Sequence, residues 1–260
     1  DPVTETFLIM SDDINTLAND SIQEIPAYTP GHSIEAMKKA NVKKIVFSSS
    51  ATVYGQPSQI PIKESCPVGE TTNPYGQSKV VMEKILKDLA HSHKDWSVGL
   101  LRYFNPIGAH NSGLIGDDPL DKKAHNIIPS IIKVTKGLKD NFEIYGDNYD
   151  TPDGTGIRDY IHIMDLASAH LCALSHLIKN NGLHIFNLGT GNGYSVMEVI
   201  NTFEEVTGEI IPKVIIQKRK GDVSSCYADP TKAIKILKWS SKMNLKEMCL
   251  SSWKFSKLNQ

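Results

Sequence analysis

The sequence predicts an α/β protein with a doubly wound parallel sheet and a smaller second lobe. Apolar runs of strand length alternate with amphipathic helical segments from Ile34 onward. Within each predicted strand the apolar residues are nearly uninterrupted, which is typical of parallel strands covered by helices on both faces. A chain of 260 residues, 40% of them hydrophobic, is long enough to bury the core of such a fold.

The first predicted elements are a helix, a strand and a second helix. An amphipathic pattern predicts a short helix over Ser33–Ala40, and VKKIVFSSS predicts a strand over Val42–Ser50. Asn73 and Pro74 supply a cap and a first-turn proline for the next helix, which we expect to reach Ala90. Apolar side chains recur every four residues on its predicted apolar face, at Val81, Ile85 and Leu89.

A second strand, WSVGLLRYF, is predicted over Trp96–Phe104. The composition from Gly108 to Asp159 is rich in Gly, Asn, Asp and Pro, which predicts loops with one helix over Ile127–Lys136. The remaining elements expected are a helix over Met164–Lys179, a strand over His184–Leu188, and a helix, a strand and short helices from Ser195 onward. FLIM at Phe7–Met10 is an apolar run to which no element can be assigned.

Composition argues against several classes of partner. Basic and acidic residues nearly balance, at 28 and 29, and no basic run occurs, so we expect no nucleic-acid partner. No apolar stretch approaches the roughly 18 residues of a membrane span. No charged and then apolar leader follows Asp1, so we expect no signal peptide and a natural start upstream of this residue.

The cysteines and histidines predict neither a disulfide framework nor a metal site. The nine histidines are scattered, and the cysteines lie far apart, at Cys66, Cys172, Cys226 and Cys249. We therefore expect a reducing, cytoplasmic setting. Arginine occurs only at Arg102, Arg158 and Arg219, so each is a candidate for bidentate binding of carboxylate or phosphate, with a surface ion pair as the alternative.

Ser50, Tyr75 and Lys79 are the candidate catalytic residues. Lys79 follows Tyr75 by four residues, so both side chains lie on one helix face. An ammonium beside a phenol stabilises the phenolate, the form that accepts a proton. Ser50 ends the preceding strand, close to the start of this helix, where its hydroxyl can share the proton taken from a substrate alcohol.

Two other motifs favour structural roles. Ser48–Ser50 could suggest a hydrolase nucleophile, but the chain lacks a G-x-S-x-G elbow. The glycines of NLGTGNG, over 187–193, follow a strand and precede a helix without the full G-x-G-x-x-G spacing. We therefore interpret this segment as a tight connection.

A set of motifs, in order, resembles the UDP-glucose 4-epimerase family of the extended short-chain dehydrogenase/reductase superfamily. The resemblance extends from about Ile34 to Trp253 and implies a Rossmann-like fold. The motifs are SSSATVYG (48–55), NPYGQSK (73–79), LLRYFNPIGAH (100–110), NIIP (126–129), DGTGIRDYIHIMDL (153–166), FNLGTGNGYSV (186–196) and RKGD (219–222).

The resemblance implies an isomerase of galactose metabolism that interconverts UDP-glucose and UDP-galactose. Tyr75 would remove the proton of the sugar 4-hydroxyl, through or beside Ser50, while bound NAD takes the C4 hydride. The 4-ketose would turn over and take the hydride back on its other face. Lys79 would hold the nicotinamide ribose. Such a pocket must hold the nucleotide firmly and the sugar loosely.

The resemblance also implies the binding residues. Those for the cofactor are Ser48, Tyr75, Lys79, Tyr103 and Phe104. Those for the substrate are Asn105 and Asn126 for the sugar nucleotide, Tyr145 near the uracil, Arg158 and Arg219 for the pyrophosphate, Asp222 for the uridine ribose and Cys226 for the pocket wall. Many bacterial members carry Tyr where this chain has Cys226, so the smaller side chain leaves room for an N-acetylhexosamine.

Each part of the chain has an expected role. Residues 1–105, with 160–190, would form a partial, incomplete Rossmann-like NAD-binding domain, and residues 106–159 and 191–260 a lobe that binds UDP-sugar. The family's homodimer packs helices that include the one bearing Tyr75, so a homodimer is expected.

The chain departs from the family at its start, where the G-x-x-G-x-x-G turn that cradles the NAD pyrophosphate is not present. We therefore expect a truncated epimerase that lacks the first three or four strands of the family, with FLIM a remnant of one of them or a substitute for it. The strand Val42–Ser50 would then have lost its neighbour and would expose a sheet edge. Two alternatives stay open. One is a catalytically dead sugar-nucleotide-binding or subunit-interaction protein. The other is an NAD-dependent dehydratase or decarboxylase, which the absence of an acidic pair at Ala51 and Thr52 disfavours.

Overall fold

The computed structural model describes residues 42–121 and 126–259, together with the backbone of Phe7–Ile9. The helix predicted over Ser33–Ala40 lies outside the described residues. In chain order the strands are β1 (Phe7–Ile9), β2 (Lys44–Ser50), β3 (Ser97–Tyr103), β4 (Asn105–Ile107), β5 (Phe142–Tyr145), β6 (Ile157–Arg158), β7 (Tyr160–His162), β8 (Gly182–Leu188), β9 (Tyr194–Ser195), β10 (Lys213–Ile216) and β11 (Ser225–Cys226). The α-helices are α1 (Pro74–Ser92), α2 (Ile127–Thr135), α3 (Ile163–Lys179), α4 (Val196–Thr207) and α5 (Leu245–Leu258).

The main sheet has the strand order β1-β2-β3-β8, in which β2, β3 and β8 are parallel. Their register aligns Ser50, Tyr103 and Leu188 at the carboxyl ends of the three strands. This end of the sheet is its carboxyl edge. Phe47 and Leu100 pack in the apolar cluster under α1, whereas Val46 and Leu101 pack in the one under α3. Helices on both faces confirm the predicted doubly wound α/β fold.

The expectation of an exposed edge along β2 is wrong for part of the strand. β1 pairs antiparallel with β2, and the partners of Phe7, Leu8 and Ile9 are Phe47, Val46 and Ile45. The apolar run that the sequence left unassigned therefore covers the most apolar stretch of this edge. An antiparallel neighbour satisfies the backbone groups of β2 there.

Helix α1 begins as predicted, but a different face is buried. Asn73 caps the helix by accepting a hydrogen bond from the Gly76 N–H at 2.8 Å. Val81 is 48% exposed and Ile85 is 41% exposed. The sequence placed Val81, Ile85 and Leu89 on one apolar face, but of the three only Leu89 is buried. The buried face also includes Lys79 and Glu83. The Lys79 ammonium lies over the Phe47 ring, and the Glu83 carboxylate binds Arg102 on β3.

The second lobe packs α2, α4 and α5 around its own apolar cluster, which includes Ile131, Phe203 and Met248. Strand β5 pairs with β10 in parallel, and β6 lies between β11 and β9. The prediction of loops with a single helix between Gly108 and Asp159 missed β5 and β6. Both strands are too short to give a periodic signal in a polar stretch.

The lobes meet above the carboxyl edge of the main sheet. Directly after β3, β4 pairs with β7 in parallel, so the chain passes from the sheet into the lobe next to α3. A π-helical turn at Ala233–Leu237 returns to the sheet side, where Ala233, Leu237 and Trp239 join the cluster under α3. Within the described parts of the chain, no helix combines the length and apolarity needed to cross a membrane.

Candidate active site

A cavity of about 930 Å³ opens in the second lobe, next to the carboxyl edge of the main sheet. A volume of this order suits a large small-molecule ligand. Apolar side chains such as Ile128, Ile144 and Phe255 line part of it. It brings together six residues that the sequence singled out for substrate binding, namely Asn105, Asn126, Tyr145, Arg158, Arg219 and Asp222.

Arg158 and Asp222 form an ion pair in this cavity. Strand pairing brings them together, since β6 carries Arg158 next to β11, which follows Asp222 by three residues. The Arg158 guanidinium also donates to the Ile157 carbonyl at 2.7 Å. Fixed in this way, the guanidinium presents a planar cation to the cavity, which suits a phosphate ligand.

Two cation–π contacts hold the segment after β10 against the end of β5. The Arg219 guanidinium lies 3.7 Å from the centre of the Tyr145 ring, and Lys218 Nζ lies 4.0 Å from that of Tyr149. The parallel register of β5 and β10, with Tyr145 opposite Ile216, brings these residues side by side. Cations over aromatic faces are attracted by the ring quadrupole.

Sequence reasoning missed Tyr149 and Lys218. Tyr149 lines the cavity, and its hydroxyl donates to Asp222 Oδ2 at 3.5 Å. The available signals were a second tyrosine four residues after Tyr145 and a basic neighbour of Arg219. Neither signal separates a binding residue from an ordinary surface side chain without the strand register.

The predicted catalytic residues form a second group, at the carboxyl edge of the sheet and the start of α1. Lys79 Nζ lies 5.4 Å from the centre of the Tyr75 ring and 5.1 Å from that of Phe47. Lys79 is 3% exposed, whereas Tyr75 is 41% exposed. The ammonium is thus buried beside a phenol that an incoming ligand can reach.

Ser50 lies at the end of β2, where the chain turns into a 3₁₀ helix over Ala51–Tyr54. Its hydroxyl oxygen accepts hydrogen bonds from the Thr52 backbone N–H at 3.2 Å and from the Thr52 hydroxyl at 2.9 Å. With these two donors in place, the Ser50 hydroxyl can still donate its own proton. This geometry suits a residue that donates a hydrogen bond to a substrate oxygen.

The residues predicted to contact the cofactor lie at the same edge. Tyr103 hydrogen bonds with Ser48 at 2.8 Å and with Nε2 of His170 on α3. Phe104 is buried in an apolar cluster with Val53 and Ile62. His170 is a further polar residue at this edge that sequence reasoning missed, since its partner lies 67 residues away.

Cys226 is not among the residues that line the cavity. It packs against the cluster that contains Ala51, Val53 and Phe104, beside Ser50. Burial raises the pKa of its thiol to about 11, so the side chain is neutral. Cys226 therefore packs with residues that directly follow β2 and β3 of the main sheet.

Asp159 organises the glycine-rich segment after β8. Its carboxylate accepts hydrogen bonds from the Thr190 N–H at 2.8 Å, the Gly191 N–H at 3.0 Å and the Ala228 N–H at 3.1 Å. Burial raises the pKa of Asp159, although these hydrogen bonds oppose the change. The turn amides bind the chain's own carboxylate, which confirms the prediction of a tight connection.

Arg102 has a structural carboxylate partner. It is buried on β3 and binds both oxygens of Glu83, so the bidentate use left open by the sequence is confirmed for this arginine. Among the residues that the structure describes, no three His, Cys, Asp or Glu side chains come together in a way that could hold a metal ion.

Comparison with known proteins identifies relatives. A model of the NAD dependent epimerase/dehydratase family matches residues 32–189. The UDP-glucose 4-epimerase of Yersinia enterocolitica is 52% identical over 226 residues, which cover 87% of this chain and 66% of the relative. That of Bacillus subtilis (strain 168) is 50% identical over 225 residues, which cover 86% of this chain and 66% of the relative.

A solved structure is similar as well. The UDP-glucose 4-epimerase from Bifidobacterium longum in complex with NAD+ and UDP superimposes with a TM-score of 0.82 at 50% identity. The match covers 87% of this chain and 67% of that one. This chain thus spans about two thirds of the length of the curated relatives that it matches.

Proposed function

This chain belongs to the NAD dependent epimerase/dehydratase family, and from that membership we propose that it is a UDP-glucose 4-epimerase. It would interconvert UDP-glucose and UDP-galactose with NAD as cofactor. The observation that carries the proposal is that six predicted substrate-binding residues line one cavity. One of them, Asn105, follows β3 at the carboxyl ends of the strands, where Ser50 also lies, although neither Ser50 nor the Tyr75–Lys79 pair lines the cavity itself.

The groups at the sheet edge fit the nicotinamide half of NAD. A nicotinamide riboside carries hydroxyls and a carboxamide, and so needs both donors and acceptors of hydrogen bonds. The Ser48 hydroxyl oxygen can accept a hydrogen bond, and the Lys79 ammonium can donate one. Phe104 packs in the cluster beneath them. NAD, when bound, supplies a group that accepts a hydride and returns it.

Tyr75 is the proposed general base and acid for the sugar 4-hydroxyl. Its exposed phenol is accessible from solvent, and the buried Lys79 ammonium lies next to the ring. Ser50 would donate its free proton to the same substrate oxygen and so orient it. Because the product again carries a 4-hydroxyl, Tyr75 must also return the proton within each turnover.

Charged and polar side chains would hold the nucleotide. Arg158 and Arg219 are the proposed pyrophosphate ligands, Asp222 the acceptor for the uridine ribose hydroxyls and Tyr145 the neighbour of the uracil. Asn105 and Asn126, both exposed at the cavity, would bind the sugar nucleotide through their amides. The apolar part of the lining, which includes Ile128 and Ile144, offers the sugar few fixed partners, and this suits a ring that must turn over.

We further propose that Cys226 sets the space available to the substituent at sugar C2. Its position beside Ala51, next to Ser50, supports this role. Ala51 and Thr52 carry no carboxyl group, which disfavours a dehydratase. Residues 1–105 with 160–190 would bind NAD, and residues 106–159 and 191–260 would bind UDP-sugar. Most residues of the sheet cluster and of the lobe cluster follow this division, although Ala233, Leu237 and Trp239 pack with the sheet.

The proposed state is a cytoplasmic homodimer. The exposure of Val81 and Ile85 on α1 supports packing of this helix against a second copy. Sedimentation should give the mass of a dimer, and Val81→Lys with Ile85→Lys should give a monomer. A monomeric wild-type chain would contradict the proposed assembly.

Purification without added cofactor tests the proposed function. We expect NAD to be extracted from the denatured protein, and UDP-galactose to be converted to UDP-glucose. Binding of UDP without NAD or conversion would support the alternative of a binding protein. A 4-keto-6-deoxy product would instead identify a dehydratase.

A further inference from the structure

Three side chains form a chain of hydrogen bonds at the carboxyl edge of the sheet. The Tyr103 hydroxyl lies 2.8 Å from Ser48 Oγ and within hydrogen-bond distance of His170 Nε2. The two rings are 5.3 Å apart between centres. His170 Nδ1 lies 2.8 Å from the Leu166 carbonyl oxygen, one turn earlier on α3. The chain thus links β2, β3 and α3.

The Leu166 carbonyl at the end of this series of hydrogen bonds determines where each proton lies. A carbonyl oxygen only accepts hydrogen bonds, so His170 Nδ1 must carry a hydrogen. Burial lowers the pKa of His170, which keeps the ring neutral and leaves a lone pair on Nε2. Burial raises the pKa of Tyr103, so the phenol keeps its proton and donates it to Nε2. The phenol oxygen then accepts the proton of Ser48.

Ser48 is therefore a hydrogen-bond acceptor toward any ligand at this edge. Its own proton is donated to Tyr103, and the lone pairs of its oxygen are left to accept. Ser48 and Ser50 are two residues apart on β2 and lie on the same face of the sheet. The nicotinamide carboxamide carries an N–H₂ group that such an acceptor suits.

We propose that His170 is a positioning residue for the cofactor site, which orients the Tyr103 hydroxyl so that Ser48 accepts a hydrogen bond from the nicotinamide carboxamide. This inference rests on the proposed function, since it requires that NAD binds at this edge. Without the acceptor on His170, the Tyr103 hydroxyl can turn and donate to Ser48. One Ser48 lone pair is then occupied and its proton is released, so the proton competes with the remaining lone pair for the position that faces the carboxamide N–H₂.

The first test needs no cofactor. In the full 260-residue chain, His170→Leu removes the acceptor, Tyr103→Phe removes the donor, and the double variant removes both. The free energies of unfolding of the unliganded proteins form a double-mutant cycle. We expect the double variant to lose clearly less stability than the two single losses combined. Additive losses would overturn the proposal.

The second test compares two dinucleotides by calorimetry. The 3-acetylpyridine analogue of NAD has a methyl ketone in place of the carboxamide and so lacks the N–H₂ group. We expect His170→Leu to weaken NAD binding about three- to tenfold, as loss of one hydrogen bond does, and to leave binding of the analogue nearly unchanged. Equal losses for both dinucleotides would indicate a purely structural role and overturn the proposal.

Two further variants complete the design. His170→Gln keeps a donor and an acceptor and should restore most of the NAD affinity, while failure to do so would contradict the proposal. His176→Leu, on the same helix but paired with His184, is the matched control and should leave the NAD affinity unchanged. If the wild-type chain binds neither dinucleotide, the proposed function and the role toward the carboxamide both fail, while the cycle still reports the link between His170 and Tyr103.

Discussion

Arg102 on β3 and Glu83 on α1 form a buried, bidentate ion pair. Arg102 Nε lies 2.8 Å from Glu83 Oε1, and its Nη2 lies 2.6 Å from Oε2. The Ser49 hydroxyl donates to the same carboxylate at 2.7 Å. Because Lys79 precedes Glu83 by one helical turn, this pair also turns Lys79 toward the sheet. A structural ion pair thus helps to orient the proposed catalytic residues.

Removal of one partner of this pair should destabilise the protein strongly. Arg102→Met leaves the Glu83 carboxylate buried without its main partner, and we expect a loss of about 3–5 kcal/mol in the free energy of unfolding. Urea denaturation measures this loss. The control Lys139→Met breaks an exposed pair with Glu143 and should cost at most about 1 kcal/mol. Similar losses for both variants would contradict the assignment.

The same pair should make stability depend on acidity. Burial alone would raise the pKa of Glu83, but the hydrogen bonds and charge of Arg102 lower it from 4.5 to about 2. The folded state therefore binds fewer protons than the unfolded state between these values. The stabilisation is complete above about pH 4.5 and is lost as the pH falls toward 2.

Unfolding measured across this pH range checks the prediction. Glu83→Gln should flatten the profile below pH 4.5, whereas Glu205→Gln, at an exposed carboxylate that pairs with Lys246, should not. A profile that keeps its wild-type slope in Glu83→Gln would show that other carboxyl groups cause the acid sensitivity.

Tyr75→Phe should lower the epimerisation rate by about 10² to 10⁴, because it removes the proton acceptor and keeps the ring beside Lys79. The rate of UDP-galactose conversion in NAD-loaded protein measures the effect. Tyr194→Phe, in the second lobe, is the matched control and should retain the wild-type rate. A Tyr75→Phe variant with a near-normal rate would eliminate Tyr75 as the base.

Arg219→Lys should weaken UDP binding, measured by calorimetry, by about tenfold or more. A lysine keeps the charge but can neither bind phosphate in bidentate fashion nor stack as a plane on Tyr145. Lys220→Gln removes a neighbouring exposed charge and should have a much smaller effect. Equal affinities of the wild type and Arg219→Lys would argue against the pyrophosphate role.

Cys226→Tyr should reduce turnover of UDP-N-acetylgalactosamine more than that of UDP-galactose, because the ring fills the space proposed for the acetamido group. Overpacking of the cluster around Val53 and Phe104 is the competing effect, which costs about 1–3 kcal/mol without substrate preference. The ratio of the two rates separates these effects. An unchanged ratio would remove Cys226 from the pocket wall.

Local sequence patterns were sufficient for much of the fold. The strands over Lys44–Ser50 and Ser97–Tyr103 follow from their apolar runs, and the start of α1 follows from Asn73 and Pro74. These elements depend on the backbone geometry of a few adjacent residues, which composition and periodicity report directly. The family resemblance, and not local periodicity, implied the substrate-binding roles of six of the residues that line the cavity.

Tertiary structure alone decided which side chains meet. The four-residue apolar repeat placed Val81 and Ile85 on the same face as Leu89, but the attachment of Glu83 to Arg102 turned α1 so that both are exposed. The contacts of Tyr103 with His170 and of Arg219 with Tyr145 likewise require strand register and helix rotation. Such pairs lie far apart in sequence, and their energies depend on burial and orientation that no local pattern contains.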